Sequence, residues 1–365
     1  MATEALAAVS APASAPLLAQ LRARIGAEGP LTVAQYMEEA LFHPRFGYYA
    51  SRDPLGARGD FVTAPEISQA FGELVGLWCV DYWQRIGAPD PVALVELGPG
   101  RGTLLADALR AARLVPGFLA AARLHLVERS PALRAAQLRA LGSTSPTWHD
   151  DISDVPLGPM LLIANEFLDA LPVRQLVKCA DFWHERRVGV TNDGALCFVL
   201  DAAPAAFDLD APEGAVREIR PGAEELARTI AARLAVSGGA ALFIDYGYCP
   251  ASCGDTLQAV RRHRSHAVLA EPGEADLTAH VDFASFAAAA KAAGAQLFGP
   301  VPQGEFLVAL GIEARARNLI AHADAEQALL IRSGCRRLVD PAEMGTLFKA
   351  LALTAPGAPR PEGFR

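Results

Sequence analysis

The chain has 365 residues, 52% hydrophobic and 20% charged, which is ample apolar material for a large globular core. With 41 acidic residues against 33 Lys and Arg, the formal net charge of −8 argues against a broad phosphate-binding face and so against nucleic acid as a partner. No apolar run approaches the roughly 20 residues that a membrane-crossing helix needs, so no membrane insertion is expected.

Residues 1–16 are rich in Ala, Ser and Pro and read as a disordered tail. The first cation is Arg22, so the tail looks like neither a secretory signal nor an organelle transit segment, and a bacterial, cytoplasmic location is expected. Residues 17–90 read as an N-terminal helical and lid region, with helical patterns at 16–25, 33–41 and 67–86. The aromatic and glycine-rich stretch between the second and third helices has the composition of an ordered site loop, and Asp60 and Glu66 are its lid candidates. Pro65 followed by Glu66 marks a helix start.

A core over 91–312 follows. An apolar strand through Leu97 runs into glycines at 98, 100 and 102, then into a helix opening at Leu104. The second strand ends at Glu128, a helix spans 131–141, and Trp148 to Ile152 follows it. The fourth strand, 160–164, is apolar throughout, as in a parallel sheet covered on both faces. Residues 173–220 and 249–281 are expected as insertions. The first holds a β-hairpin about Asn192-Asp193-Gly194, whose Asp-Gly supplies the positive φ of a tight turn, then a loop over 201–220. The second is expected as a long polar loop. Further expectations are a helix over 221–236, a fifth strand over 240–247, a helix over 282–293, and a hairpin-like strand pair at 296–298 and 306–310. Residues 313–365 read as C-terminal helices (313–333 and 341–353) and a tail. Strands alternating with helices predict an α/β fold with a doubly wound sheet. The six cysteines show no CxxC and no paired metal spacing, so they read as reduced thiols and no metal is expected.

The chemistry is concentrated in Glu96-Leu97-Gly98-Pro99-Gly100-Arg101-Gly102-Thr103. Glycine lets the backbone approach a ligand closely, and Glu96 stands at the carboxyl end of a strand, where open α/β sheets hold ligands. A dinucleotide fingerprint needs G-x-G-x-x-G, but Thr103 occupies its third-glycine place. The pattern E-x-G-x-G-x-G instead resembles the first motif of Rossmann-like class I methyltransferases dependent on S-adenosylmethionine (SAM). That resemblance implies a cofactor site of Glu96, Gly98, Gly100 and Gly102, with Glu128 on the ribose hydroxyls and Asp151 and Ile152 at the adenine.

Just after the fourth strand comes Asn165-Glu166-Phe167-Leu168-Asp169-Ala170-Leu171-Pro172, the stretch that borders the transferring methyl in this class. Glu166 and Asp169 are three apart, so on a helical turn both carboxylates share one side. Paired carboxylates suit a guanidinium, whose planar fork bonds them bidentately, and they stabilise charge as its proton leaves. Asn165, Glu166 and Asp169 are therefore the catalytic candidates. The purely structural alternative is a helix start, with Asn165 as cap and acids in the first turn. Asp245, ending the fifth strand, and His280, in the polar loop, are candidates for substrate contact.

Longer stretches extend the likeness: Gly59-Asp60-Phe61-Val62-Thr63-Ala64-Pro65-Glu66, the glycine motif, Asn165 to Val173, Ile244-Asp245-Tyr246-Gly247, Pro272 to Val281, and Met344-Gly345-Thr346-Leu347-Phe348-Lys349. Over about residues 30–350 the chain resembles the MidA-like methyltransferases, bacterial and mitochondrial. Ala64 stands where Ser is usual and Leu168 where a second Phe is common. The resemblance implies a SAM-dependent protein arginine methyltransferase. Its mitochondrial members act on a respiratory complex I subunit and make symmetric dimethylarginine. A methyltransferase of a small molecule or other macromolecule, and a non-catalytic SAM-binding assembly chaperone, are the alternatives. Association into a homodimer stays open.

Overall fold

A computed structural model describes residues 14–51 and 62–364. Most of the expected tail and the lid candidate Asp60 lie outside the described residues. The N-terminal region holds α1 (Ser14–Glu28), β1 (Leu31–Thr32), α2 (Val33–Phe42), α3 (Tyr48–Ser51), α4 (Ala64–Ile67) and α5 (Gln69–Arg85). The helix expected over 67–86 is thus two helices. Ser68 turns extended at φ −154° and caps α5 by accepting from the Ala70 N–H.

The core proceeds through β2 (Val92–Leu97), α6 (Thr103–Ala112), α7 (Pro116–Ala121), β3 (Ala122–Val127), α8 (Pro131–Leu141), β4 (Thr147–His149) and β5 (Met160–Asn165). Next come β6 (Arg174–Cys179), β7 (Phe182–Val190), β8 (Leu196–Pro204), β9 (Val216–Ile219), α9 (Pro221–Ser237) and β10 (Gly239–Tyr248). The chain closes through β11 (Gln258–Arg261), β12 (Arg264–His266), β13 (Asp276–Thr278), β14 (Val281–Asp282), α10 (Phe283–Ala292), β15 (Gln296–Pro302), α11 (Gln303–Ala309), α12 (Ile312–Ile320), α13 (Ala325–Val339), α14 (Met344–Leu347) and β16 (Phe348–Thr354).

The central sheet has the order β15-β16-β10-β5-β2-β3-β4. Strands β10, β5, β2, β3 and β4 run parallel, and β16 lies antiparallel between β10 and β15. The expected doubly wound α/β fold is therefore present. The chain winds outward one way from β2 through β3 and β4, and the other way from β5 through β10. The junction of β2 with β5 is thus the switch point at which such sheets bind ligands. Alternation along β5 builds both faces: Leu161 and Ile163 join the core under α5 and α6, while Met160, Leu162 and Ala164 join the core under α9 and α10. A third core packs α1 and α2 against an antiparallel sheet of order β1-β7-β6-β9, with β8 on β7.

Several expectations about elements are corrected. The hairpin about Gly194 is present, but it belongs to this five-stranded sheet. The loop expected over 201–220 contains the end of β8 and all of β9. The polar loop expected over 249–281 carries the small sheet β12-β11-β13, whose strands of three and four residues are too short to show a period. Phe306 to Leu310, expected as a strand, is helical and buries Phe306 and Leu307 but not Val308. The helix expected over 313–333 is α12 and α13 with a break between them. The helix expected over 341–353 is helical only over α14; from Phe348 it is β16, whose Ala- and Leu-rich sequence favours helix in isolation but fills a slot between two strands. The central sheet thus takes a strand from beyond residue 312.

Helices α5 and α6 approach through glycine. A Cβ added at Gly76 would lie 2.4 Å from the Ala108 Cα, and one at Gly72 2.7 Å from the Asp107 Cβ. Backbone cannot yield as a flexible side chain can. Gly76→Val is expected to destabilise the fold by about 1–3 kcal/mol through overpacking, read as a lower urea midpoint. An unchanged midpoint would mean that the two helices are not held at this distance.

Candidate active site

The switch point supplies the first half of the site. Gly98, Gly100 and Gly102 have φ of +58°, +53° and +84°, so the turn leaving β2 is left-handed at alternate residues. Gly102 then takes the N-cap position of α6. Glu96 is buried at the end of β2, and its Oε2 has no hydrogen-bond partner among the described residues. Burial pushes its carboxyl up to about 8. Such an orphaned acceptor fits a ligand bearing amino groups and positive charge.

Glu128 follows β3 directly. Its Oε1 accepts from the Ser130 N–H at 2.8 Å and its Oε2 from Gln137 at 3.3 Å, while burial raises its carboxyl. Gln137 is a residue the sequence reading missed. It is fully buried on α8, donates to the Gly100 carbonyl at 2.8 Å, and accepts from the Trp148 indole at 2.8 Å. One amide thus ties the glycine turn to Glu128 and to β4. Asp151 caps the following turn, where the Ser153 N–H and hydroxyl donate to Oδ1 and hold its carboxyl below the usual range. Ile152 is buried beside it. Glu96, the glycine turn, Glu128, Asp151 and Ile152 therefore lie along the carboxyl ends of neighbouring strands.

The second half is the loop 165–172. The helical turn considered for it does not form: Asn165 ends β5, and Glu166 is left-handed at φ +49°. Asn165 therefore caps no helix. The carboxylates meet for a different reason. The turn at Glu166 aims three successive N–H groups, of Phe167, Leu168 and Asp169, at Oδ2 of Asp245, at 3.1, 2.9 and 3.2 Å. Oδ1 of Asp245 accepts from the Tyr246 N–H. From the other side Arg220, which leads into α9, donates to the carbonyls of Asp169, Leu171, Ala279 and His280. An anion holds the loop's N–H groups and a cation holds its carbonyls. Arg220 was also missed; a charged residue just before a helix carries no distinguishing pattern.

Glu166 accepts at Oε1 from the Ala64 N–H at 2.8 Å and from the Asn165 amide at 3.2 Å. Burial, with Asp169 close by, pushes its carboxyl up to about 7. Asp169 is raised by burial as well, against the Tyr246 hydroxyl, which donates to its Oδ2 at 2.7 Å, and the charge of Arg220. Its Oδ1 is buried without a partner among the described residues, as is Oδ1 of Asn165. Asp245 is raised by burial and by the neighbouring Asp169 and Glu166. His280 lies edge-on to Tyr246 with ring centroids 5.4 Å apart, and burial lowers its imidazole, favouring the neutral form. The lid candidate Glu66 accepts from the Thr103 hydroxyl at 3.0 Å. Helix α4 thereby touches both halves of the site, through Ala64 on Glu166 and Glu66 on the glycine turn. Beside the loop lies a cavity of about 460 Å³, lined in part by Val173, Arg220, Tyr248, His280 and Phe286. Among the described residues no group of His, Cys, Asp and Glu could hold a metal ion, and no helix is long and apolar enough to cross a membrane.

Sheet order, glycine turn and strand-end acids together define a nucleoside-cofactor enzyme of the SAM-dependent methyltransferase class, and similarity to known proteins agrees. Residues 74–301 match a family described as "Putative S-adenosyl-L-methionine-dependent methyltransferase". The chain is 41% identical over 372 residues to the Drosophila melanogaster protein arginine methyltransferase NDUFAF7 homolog, mitochondrial, covering 92% of this chain and 84% of that protein. It is 38% identical to Homo sapiens protein arginine methyltransferase NDUFAF7, mitochondrial, over 93% of this chain and 83% of that one. The crystal structure of a Burkholderia thailandensis protein bound to S-adenosyl-homocysteine superposes with a TM-score of 0.83 at 32% identity, over 96% of this chain and 94% of that chain. The chain belongs to the MidA-like family of SAM-dependent methyltransferases, and SAM is its cofactor. The cytoplasmic location expected from the N-terminal composition is not upheld, because these relatives of Drosophila and human origin are named as mitochondrial.

Proposed function

We propose that this enzyme is a protein arginine N-methyltransferase, with Glu166, Asp169 and Asn165 around the acceptor nitrogen. One observation carries the reading. Three carboxylates, the buried Asp169 and Asp245 and the half-buried Glu166, meet at the loop with one buried guanidinium, Arg220, whose donors go to backbone carbonyls. Such a site has a deficit of positive charge, which a substrate guanidinium removes. The relatives named protein arginine methyltransferases support the same substrate class. The Asp169 and Asn165 oxygens that have no partner among the described residues would accept from its N–H donors. Glu96, Gly98, Gly100, Gly102, Glu128, Asp151 and Ile152 would hold SAM, with Glu66 and Ala64 closing α4 over it.

Bound SAM supplies a methyl group already activated on a sulfonium. The chain's own residues align the acceptor nitrogen and receive its proton. A guanidinium is a weak nucleophile while fully protonated. Carboxylates on its other nitrogens concentrate electron density on the attacking one, and Glu166 is a base whose affinity for a proton is raised toward neutrality. The cavity beside the loop offers room for residues flanking a target arginine. The preferred substrate is a respiratory complex I subunit or its bacterial equivalent, with symmetric dimethylarginine as product, as the family resemblance implies. Methyl transfer from isotope-labelled SAM into proteins of cells lacking this gene, followed by mass spectrometry, tests the reading. A labelled arginine is expected. Label confined to small molecules, or none at all despite SAM binding, would sink it.

A further inference from the structure

We propose that Tyr246 is a positioning residue for methyl transfer: its hydroxyl, donating to Oδ2 of Asp169 at 2.7 Å, decides that Oδ1 is the oxygen left for the acceptor. The role rests on the arginine-methyltransferase reading; the contact does not. Asp169 is buried, and its carboxylate could rotate if neither oxygen were tied. Tyr246 is itself held from three sides. It sits on β10 in register with Phe348 of β16, its ring lies 5.3 Å from that of Phe348, and His280 packs edge-on against it. Its hydroxyl is therefore a fixed donor, and burial keeps it protonated.

The hydroxyl also acts on charge. A donor to the ionised form of an acid favours that form, so this bond opposes the burial that would neutralise Asp169. The other groups facing Asp169 are Asp245 on β10, Arg220 before α9, His280 between β13 and β14, Tyr49 on α3, and Glu166 in the same loop. Of these only Arg220 is a standing cation, and its guanidinium bonds the Asp169 carbonyl rather than the carboxylate. Tyr246 is the side-chain donor to the Asp169 carboxylate among the described hydrogen bonds.

Tyr246→Phe keeps the ring contacts and removes one O–H. With labelled SAM at saturation and the protein fraction of cells lacking this gene as acceptor, kcat should fall roughly 10- to 100-fold, the effect of losing one hydrogen bond to a charged group. Affinity for S-adenosylhomocysteine should not change. The acid limb of the rate profile, which belongs to Glu166 and Asp169 together, should move to higher pH by about one unit. A variant with the wild-type rate and the same acid limb overturns the proposal. The carboxyl can also be followed without substrate, by carbon-13 NMR of labelled aspartate with the Asp169 signal assigned from Asp169→Asn. Its midpoint should rise in Tyr246→Phe, and an unchanged midpoint overturns the proposal whatever the acceptor. A raised midpoint without any arginine labelling keeps Tyr246 as the group that orients Asp169 and removes arginine as the substrate.

Discussion

Glu166→Gln is expected to lower kcat by about 10²–10³-fold while leaving S-adenosylhomocysteine affinity at the wild-type value. The substitution is clean because of what Glu166 does structurally. Its Oε1 accepts from the Ala64 N–H and the Asn165 amide, and a glutamine carbonyl accepts equally well. Only the negative charge and the ability to take a proton are lost. Wild-type turnover in the variant would remove Glu166 from the mechanism.

Two pH effects follow from the same carboxyl, raised to about 7 by burial. In the wild type, kcat/KM for the protein substrate should rise with an acid limb near pH 7, since the charged form attracts the guanidinium. Stability should run the other way. The unfolded chain ionises this glutamate near its ordinary value, about 4.3, whereas the folded chain resists until about 7. The folded state therefore loses stability between those limits and regains none above them. Glu166→Gln escapes that loss, so its melting temperature should exceed the wild-type value at pH 8 and approach it near pH 4. A variant less stable than wild type at pH 8 would mean that the carboxylate is held by a countercharge.

The parts of the site legible in sequence are those that local chemistry dictates. The Gly98 to Gly102 turn, Glu96 and Glu128 at strand ends, and the run from Asn165 to Asp169 all sit where a strand, a turn and an acid follow one another. The helix expected over 131–141 is α8. What sequence could not carry is long-range. Strand β16 is sheet because β10 and β15 leave a gap for it. Arg220 matters because carbonyls some 50 and 60 residues away in sequence converge on it. Glu166 and Asp169 converge through a left-handed turn clamped by Asp245, not through the helical spacing that first drew attention to them.

Gly100→Val is expected to abolish measurable SAM binding, at least a 100-fold loss of affinity, with the fold kept. Gly100 stands at φ +53°, where a side chain costs about 1–2 kcal/mol and a β-branched one more. That strain alone would leave a stable protein. The larger effect is local: the turn exists to bring backbone against a ligand, and valine adds three carbons on that approach. It also displaces the Gly100 carbonyl, which accepts from Gln137. Because Gln137 donates to Glu128 too, the disturbance reaches the proposed ribose acid as well as the turn. Calorimetric titration with S-adenosylhomocysteine measures this, and circular dichroism checks the fold. Gln137→Leu isolates the second contribution: it cuts the links to the Gly100 carbonyl and Glu128 but adds no carbon on the approach to the ligand, so it should weaken binding by roughly tenfold, as expected for losing a buried hydrogen-bonded link. If Gly100→Val bound S-adenosylhomocysteine like the wild type, the cofactor would have to lie elsewhere than the junction of β2 and β5, and Glu96 and Glu128 would lose their roles in holding it.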